Sequence, residues 1–170
     1  MMDLEVFGQA ILIGIGGTAV LDAWALALDR LLKIPATNWS MVGRWIGNMP
    51  RGRFSHSSMG AAPPVAGEAA IGWTAHYVIG AGYGLLLVAI FGAQWLEQPT
   101  LPPTLVVAWV LLIAPFFIMM PGMGSGIAAS RTPRPNAARL KSVVSHTIFG
   151  LGMYLTALLL AAGMSQGLAG

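Results

Sequence analysis

Three ionisable side chains stand inside otherwise apolar stretches of this sequence: Asp22, His76 and His146. Imidazole titrates near neutrality, and a carboxylate beside it can share its proton. A charged group at the centre of a bilayer costs about 2.5–3.5 kcal/mol on insertion scales, so such residues turn inward and find partners. Thr18 lies one helical turn before Asp22, Tyr77 follows His76, and Glu68 stands just ahead of the second apolar stretch. All three are therefore candidates for the same polar interior site.

Several readings fit these residue types. One is a hydrogen-bonded network that fixes helix register and does no chemistry. Another is a cation or proton site in a small transporter or membrane-homeostasis protein. A third is haem held between His76 and His146, each followed by glycines four and six positions later that would leave room for a macrocycle. A membrane enzyme using the same groups is a fourth, with no catalytic residue to assign. His, His and Asp also suit zinc, but no HExxH-like spacing stands behind them. Met119, Met120 and Met123 offer thioethers of the kind Cu(I) favours, although methionine in a membrane helix is far more often filler. The run Pro121-Gly122-Met123-Gly124-Ser125-Gly126 has the glycines of a phosphate loop without its lysine or preceding strand, so that motif is rejected. The chain has no cysteine, which removes disulfides and thiolate chemistry.

The elements that must carry these residues follow from composition. Of 170 residues, 56% are hydrophobic and 9% charged, against roughly 25% charged in soluble domains; mean hydropathy is +0.72. About 20 apolar residues cross the hydrocarbon as a helix, and four stretches meet that length: about 6–28, 71–91, 105–120 and 143–162. Each is expected to be helical, because an open strand in lipid leaves its backbone unpaired. The fold class is thus an all-α, polytopic membrane protein of four spans arranged as two hairpins, a single membrane domain over residues 1–170. Pro115 predicts a kink in the third span and Pro121-Gly122 a loosened last turn, with the helix running on through the apolar residues 127–129. The acidic start Met1-Met2-Asp3-Leu4-Glu5 makes the first run a retained span rather than a removable signal.

Charge placement orients the spans. All nine basic residues fall in two segments, Arg30 to Arg53 and Arg131 to Lys141. The positive-inside rule makes the loops at about 30–70 and 121–142 cytoplasmic and places both termini outside the cytoplasm. In the first loop Trp39, Val42, Trp45, Ile46 and Met49 recur at helical spacing, with Thr37 or Asn38 to cap and Pro50 to stop. This amphipathic helix either lies in the membrane interface or packs on the ends of the spans. Arg44, Arg51 and Arg53 are candidate contacts for anionic lipid headgroups, or topology determinants with no ligand. The bilayer is the expected partner; no nucleic acid is expected.

Small residues recur every fourth position, at Gly14-Thr18-Asp22, Gly72-His76-Gly80-Gly84 and Ser142-His146-Gly150-Tyr154. Such ridges let helices approach closely and are expected to form the bundle interior. Four spans are few for a solute path, so transport would need a homodimer, built on Gly8, Leu12 and Gly16 or on the glycine ridge of the second span. Finally, the stretches Val42-Gly43-Arg44-Trp45, Pro50-Arg51-Gly52-Arg53-Phe54, Ala62-Pro63-Pro64, Gly72-Trp73-Thr74-Ala75-His76-Tyr77 and Pro121-Gly122-Met123-Gly124-Ser125-Gly126-Ile127-Ala128-Ala129-Ser130-Arg131-Thr132-Pro133 together form a distinctive set. Over nearly the whole chain this resembles a family of small bacterial inner-membrane proteins with a domain of unknown function. The resemblance implies a four-helix membrane fold and brings no activity, cofactor or catalytic residue.

Overall fold

A computed structural model describes residues 3–167, with side chains as far as residue 163. The expectations for the extreme ends of the chain, at 1–2 and 168–170, lie outside the described residues. Among the described residues every regular element is helical. The long helices are α1 (Leu4–Leu32), α3 (Glu68–Phe91) and α6 (Pro135–Gly167), and α2 (Trp39–Asn48) is a short helix in the first loop. The third span is composite: α4 (Leu101–Val110), a π-helical segment (Pro115–Met119) and α5 (Met120–Gly122). Four helices, Leu4–Leu32, Glu68–Phe91, Leu101–Gly122 and Pro135–Gly163, are long and apolar enough to cross a membrane.

The helices overrun their apolar stretches because capping, not hydropathy, ends them. Asp3 accepts a 2.8 Å hydrogen bond from the Val6 N–H at the start of α1, and Lys33 closes its end in a left-handed conformation with its N–H on the Leu28 carbonyl. Pro135 opens α6, where its missing N–H costs nothing. Pro115 acts as expected in kind: it cannot donate, and the helix widens to a π turn in which the Met120 N–H reaches the Pro115 carbonyl. The third span does not run on into 127–129, where a separate 3-10 turn (Ile127–Ala129) follows instead. Gly124 and Gly126 take φ of 90° and 73°, and Ala128 and Ala129 follow at 46° and 61°, which breaks the chain into a tight turn.

Contacts group the chain into two compact units, each drawing on both halves of the sequence. The first comprises Met1–Pro35, Tyr77–Trp109 and Ser145–Gly170; the second comprises Ala36–His76 and Val110–Val144. In the first unit the helices meet at glycine. A methyl group at Gly14 would strike the Gly80 carbonyl, and one at Gly84 the Ala10 carbonyl, so α1 and α3 touch backbone to backbone. The Thr18 hydroxyl lies over Gly80 and donates to the Gly14 carbonyl at 2.8 Å. Gly17 and Gly152 do the same between α1 and α6, and Gly150 admits Leu105 and Thr104 of α4. The predicted small-residue ridges of the first and second spans are therefore interior, as close packing without a hydrophobic drive requires. That use bears on the expected dimer face: Gly16 is occupied by Thr156, and Gly80 and Gly84 of the second-span ridge by α1, whereas Gly8 has open space and Leu12 is exposed.

In the second unit α2 packs on the first turns of α3. Gly43 faces the Glu68 carbonyl and Gly72 faces the Trp39 carbonyl, so neither could carry a side chain. Asn38 caps α2 at Met41, and Val42, Gly43, Trp45 and Asn48 are buried. The apolar side of α2 is thus covered by protein, which corresponds to the packed arrangement of the two expected. Trp45, Met59 and Ala62 form a small core ringed by Met41, Ile46, Met49, Met119 and Met123, so these methionines serve as filler around an indole.

Candidate functional site

α1 and α3 bring Asp22 and Tyr77 together. The Tyr77 hydroxyl donates to Asp22 Oδ2 at 2.9 Å, in partly buried surroundings. Counting along each helix, Asp22 is six residues from the end of its apolar stretch at 28 and Tyr77 six from the start of its own at 71. At 1.5 Å per residue both lie ~9 Å along their helices from those ends, a depth where a carboxylate needs polar company. Thr18, one turn before Asp22, is fully buried but gives its proton to the Gly14 carbonyl. Its role is to seat the α1–α3 crossing.

His76 belongs to the second unit and is 7% exposed. Its ring stacks on Trp39 with centroids 3.8 Å apart and 22° between planes, and Trp73 meets it edge-on at 5.8 Å. One imidazole face is therefore filled by indole, and the haem reading gains no supporting observation. His146 is half-buried on α6 in the first unit. Among the described residues no group of three or more His, Cys, Asp or Glu side chains could hold a metal ion, so the zinc reading has no ligand set. The partnership with Trp39 carries a sequence signal. Trp39 and Gly43 are four apart, as are Gly72 and His76, and the two pairs stand across the same close crossing.

Glu68 and Arg44, expected from sequence in the polar interior site and at lipid headgroups, form an ion pair with each other. Arg44 Nε donates to Glu68 Oε2 and Nη2 to Oε1, both at 2.8 Å, the bidentate geometry in which guanidinium and carboxylate bind best. Arg44 Nη1 donates to the Met59 and Ala62 carbonyls at 3.3 and 3.1 Å, and the Val65 N–H donates to Glu68 Oε2 at 3.0 Å. Arg44 is thereby committed inside the fold. Glu68 lies ahead of the apolar stretch that begins at Ile71, and the Arg44 hydrogen bonds, with the Val65 N–H second, hold its carboxyl down at about 2. Arg51 and Arg53 differ: both are exposed, beside a Phe54 side chain that is 62% exposed. Their loop is fixed by the left-handed Gly52, by Trp45 Nε1 donating to the Phe54 carbonyl at 2.9 Å and by the Arg53 N–H on the Asn48 carbonyl.

What this arrangement offers chemically is one carboxylate–phenol pair at membrane depth, one aromatic-stacked histidine, and a loop region tied internally by an ion pair. No curated protein and no solved structure matches the chain. A family model does match, over residues 11–160, and it covers each of these features from Asp22 to His146; the chain belongs to the family described as protein of unknown function (DUF2938).

Proposed function

We propose that the protein is a small multi-pass protein of a bacterial inner membrane, with periplasmic termini and cytoplasmic loops, in which Asp22 and Tyr77 form a site for a proton or a monovalent cation. The carrying observation is the 2.9 Å hydrogen bond from the Tyr77 hydroxyl to the Asp22 carboxylate within the apolar length of α1 and α3. A phenol steadies a carboxylate without cancelling its charge, so the oxygen atoms keep affinity for a small cation. The one-sided placement of basic residues supports the orientation. A homodimer would enlarge the path, and the open face at Gly8 and Leu12 suits it.

The test is flux through purified protein in liposomes, with an internal pH dye and imposed proton, Na⁺ or K⁺ gradients. Wild type should dissipate at least one gradient faster than empty liposomes; Asp22→Asn should abolish this, and Tyr77→Phe should slow it. Undiminished flux in Asp22→Asn, or no flux from wild type under any of the three gradients, would remove the proposal.

A further inference from the structure

The second unit contains two open surface clefts that none of the preceding chemistry uses. One, of about 310 Å³, is lined by Ser55, Pro121, Gly126, Ile127, Ser130 and Arg131. A second, of about 360 Å³, has Ser57, Ser58, Ser125 and Thr132 in its wall together with Arg131. Arg131 thus borders both, and serine or threonine hydroxyls recur around it. We infer that these loops form a binding site for a phosphate group, with the Arg131 guanidinium as its charged anchor and the Ser55 and Ser130 hydroxyls as its neutral partners.

Three observations carry this. The first is charge: among the described residues Arg131 has no carboxylate partner, in contrast to Arg44, which pairs with Glu68. A planar guanidinium with several donors, flanked by hydroxyls, matches the oxygens of a phosphate ester. The second is rigidity. The Arg131 N–H donates to the Ser125 carbonyl at 2.9 Å, the Ser130 N–H to the Ile127 carbonyl at 3.0 Å, and the His56 N–H to the Gly122 carbonyl at 2.9 Å. The last bond holds the strand of chain bearing Ser55 and Ser57 against the turn bearing Arg131. The third is shape. Ser130 Oγ and Arg131 Cγ fold over Gly126, the latter 2.8 Å from where a Cβ would stand, and Gly126 has a φ of 73°. The glycine both permits the turn and leaves the space over which those two side chains close. These glycines fail as a phosphate loop in the Walker sense; here they shape a pocket whose cation is an arginine five residues beyond Gly126.

Arg131 is as exposed as Arg51 and Arg53, but unlike them it borders two clefts walled by serine or threonine hydroxyls. A pocket of this size takes a small ester. Its phosphate could belong to a lipid headgroup or to a soluble phosphomonoester, and the two sources are separable.

Full-length protein in maltoside micelles, which contain no phosphate, would be melted against rising inorganic phosphate at constant ionic strength, and separately against rising phosphatidic acid mixed into the micelle. Ligand that binds the folded state raises its melting temperature. The expected result is a rise in at least one series, with apparent affinity reduced about tenfold or more in Arg131→Gln and reduced less in Ser55→Ala/Ser130→Ala. Arg134→Gln, in the same basic loop but outside both clefts, should behave as wild type. A rise with inorganic phosphate assigns a soluble ester; a rise confined to phosphatidic acid assigns the headgroup. Should Arg131→Gln not fold, Arg131→Lys keeps the charge without the fork and should give intermediate affinity. No rise in either series, or equal responses in the Arg131 and Arg134 variants, would overturn the inference.

Discussion

In the first unit, helices meet where glycine lets one backbone touch another; in the second, a bidentate ion pair, an indole core and main-chain hydrogen bonds tie loops to the first turns of α3. The contrast reflects solvent. Between helices in lipid, burying leucine gains little because the surroundings are equally apolar, so contact area must come from close approach. In the loop segments, water competes for every polar group, and the chain responds as a soluble protein does, by making hydrogen bonds directional and apolar side chains central. Each unit should therefore be vulnerable to a different kind of change.

The largest effect is expected where backbone faces backbone. At Gly14 a side chain would enter the Gly80 carbonyl, which cannot rotate aside. Gly14→Leu should destabilise the protein by about 3 kcal/mol or more, beyond ordinary overpacking because no flexible side chain can yield. Gly8→Leu, on the same helix with nothing within 4 Å, should change little. Thermal unfolding in detergent, followed by the retention of a monodisperse peak after heating, reads both. Equal tolerance of the two would mean that α1 and α3 do not pack as described.

The second unit should instead respond to pH and salt. Glu68 is held at about 2 against an ordinary 4.5, so its folded form is the more acidic. The stability it contributes is fully present above pH 4.5 and is lost as pH falls toward 2. Other carboxyls titrate in that range, so the informative quantity is the difference between wild type and Glu68→Gln. That difference in melting temperature should be largest near neutrality, shrink as pH falls from 4.5 toward 2, and be smaller at high salt. A gap independent of pH would show that the Arg44 contact contributes by packing alone.

How much of this was legible in the sequence depends on whether one segment's pattern sufficed. The four spans and the glycine interiors of α1 and α3 were readable, because hydropathy over one helix and a four-residue repeat are local properties. The start of α6 at Pro135, eight residues ahead of the expected 143, was marked by proline but hidden from a hydropathy reading, since Arg139 and Lys141 are polar yet good helix formers. The Arg44–Glu68 pair joins residues 24 apart across irregular chain, and no periodicity connects them. A weak clue existed: Glu68 is the lone carboxylate between Lys33 and the second span, in a loop rich in arginine. In the candidate site, Asp22 and Tyr77 were both foreseen as polar interior residues, but the hydrogen bond between them joins two helices and no local pattern announces it. The stacking of His76 on Trp39 required knowing that α2 lies across the start of α3.

The smallest expected effect falls on the contact of greatest functional interest. Tyr77→Phe removes one hydroxyl and its 2.9 Å hydrogen bond while keeping the ring. Interhelical hydrogen bonds in membranes average about 0.6 kcal/mol in double-mutant cycles, since alternative partners exist in the unfolded membrane state. Tyr77→Phe should therefore lower stability by about that amount, far less than Gly14→Leu. In a cycle with Asp22→Ala the two changes should be non-additive, because each removes one end of the same bond. Additive effects would mean the hydroxyl and the carboxylate do not meet in the folded protein. A coupling of several kcal/mol would instead assign the pair a structural role on the scale of the glycine contacts. A site that loads and unloads a small cation must be able to exchange its partners, so the proposed function requires the weak coupling: strong enough to orient Asp22, and too weak to lock it.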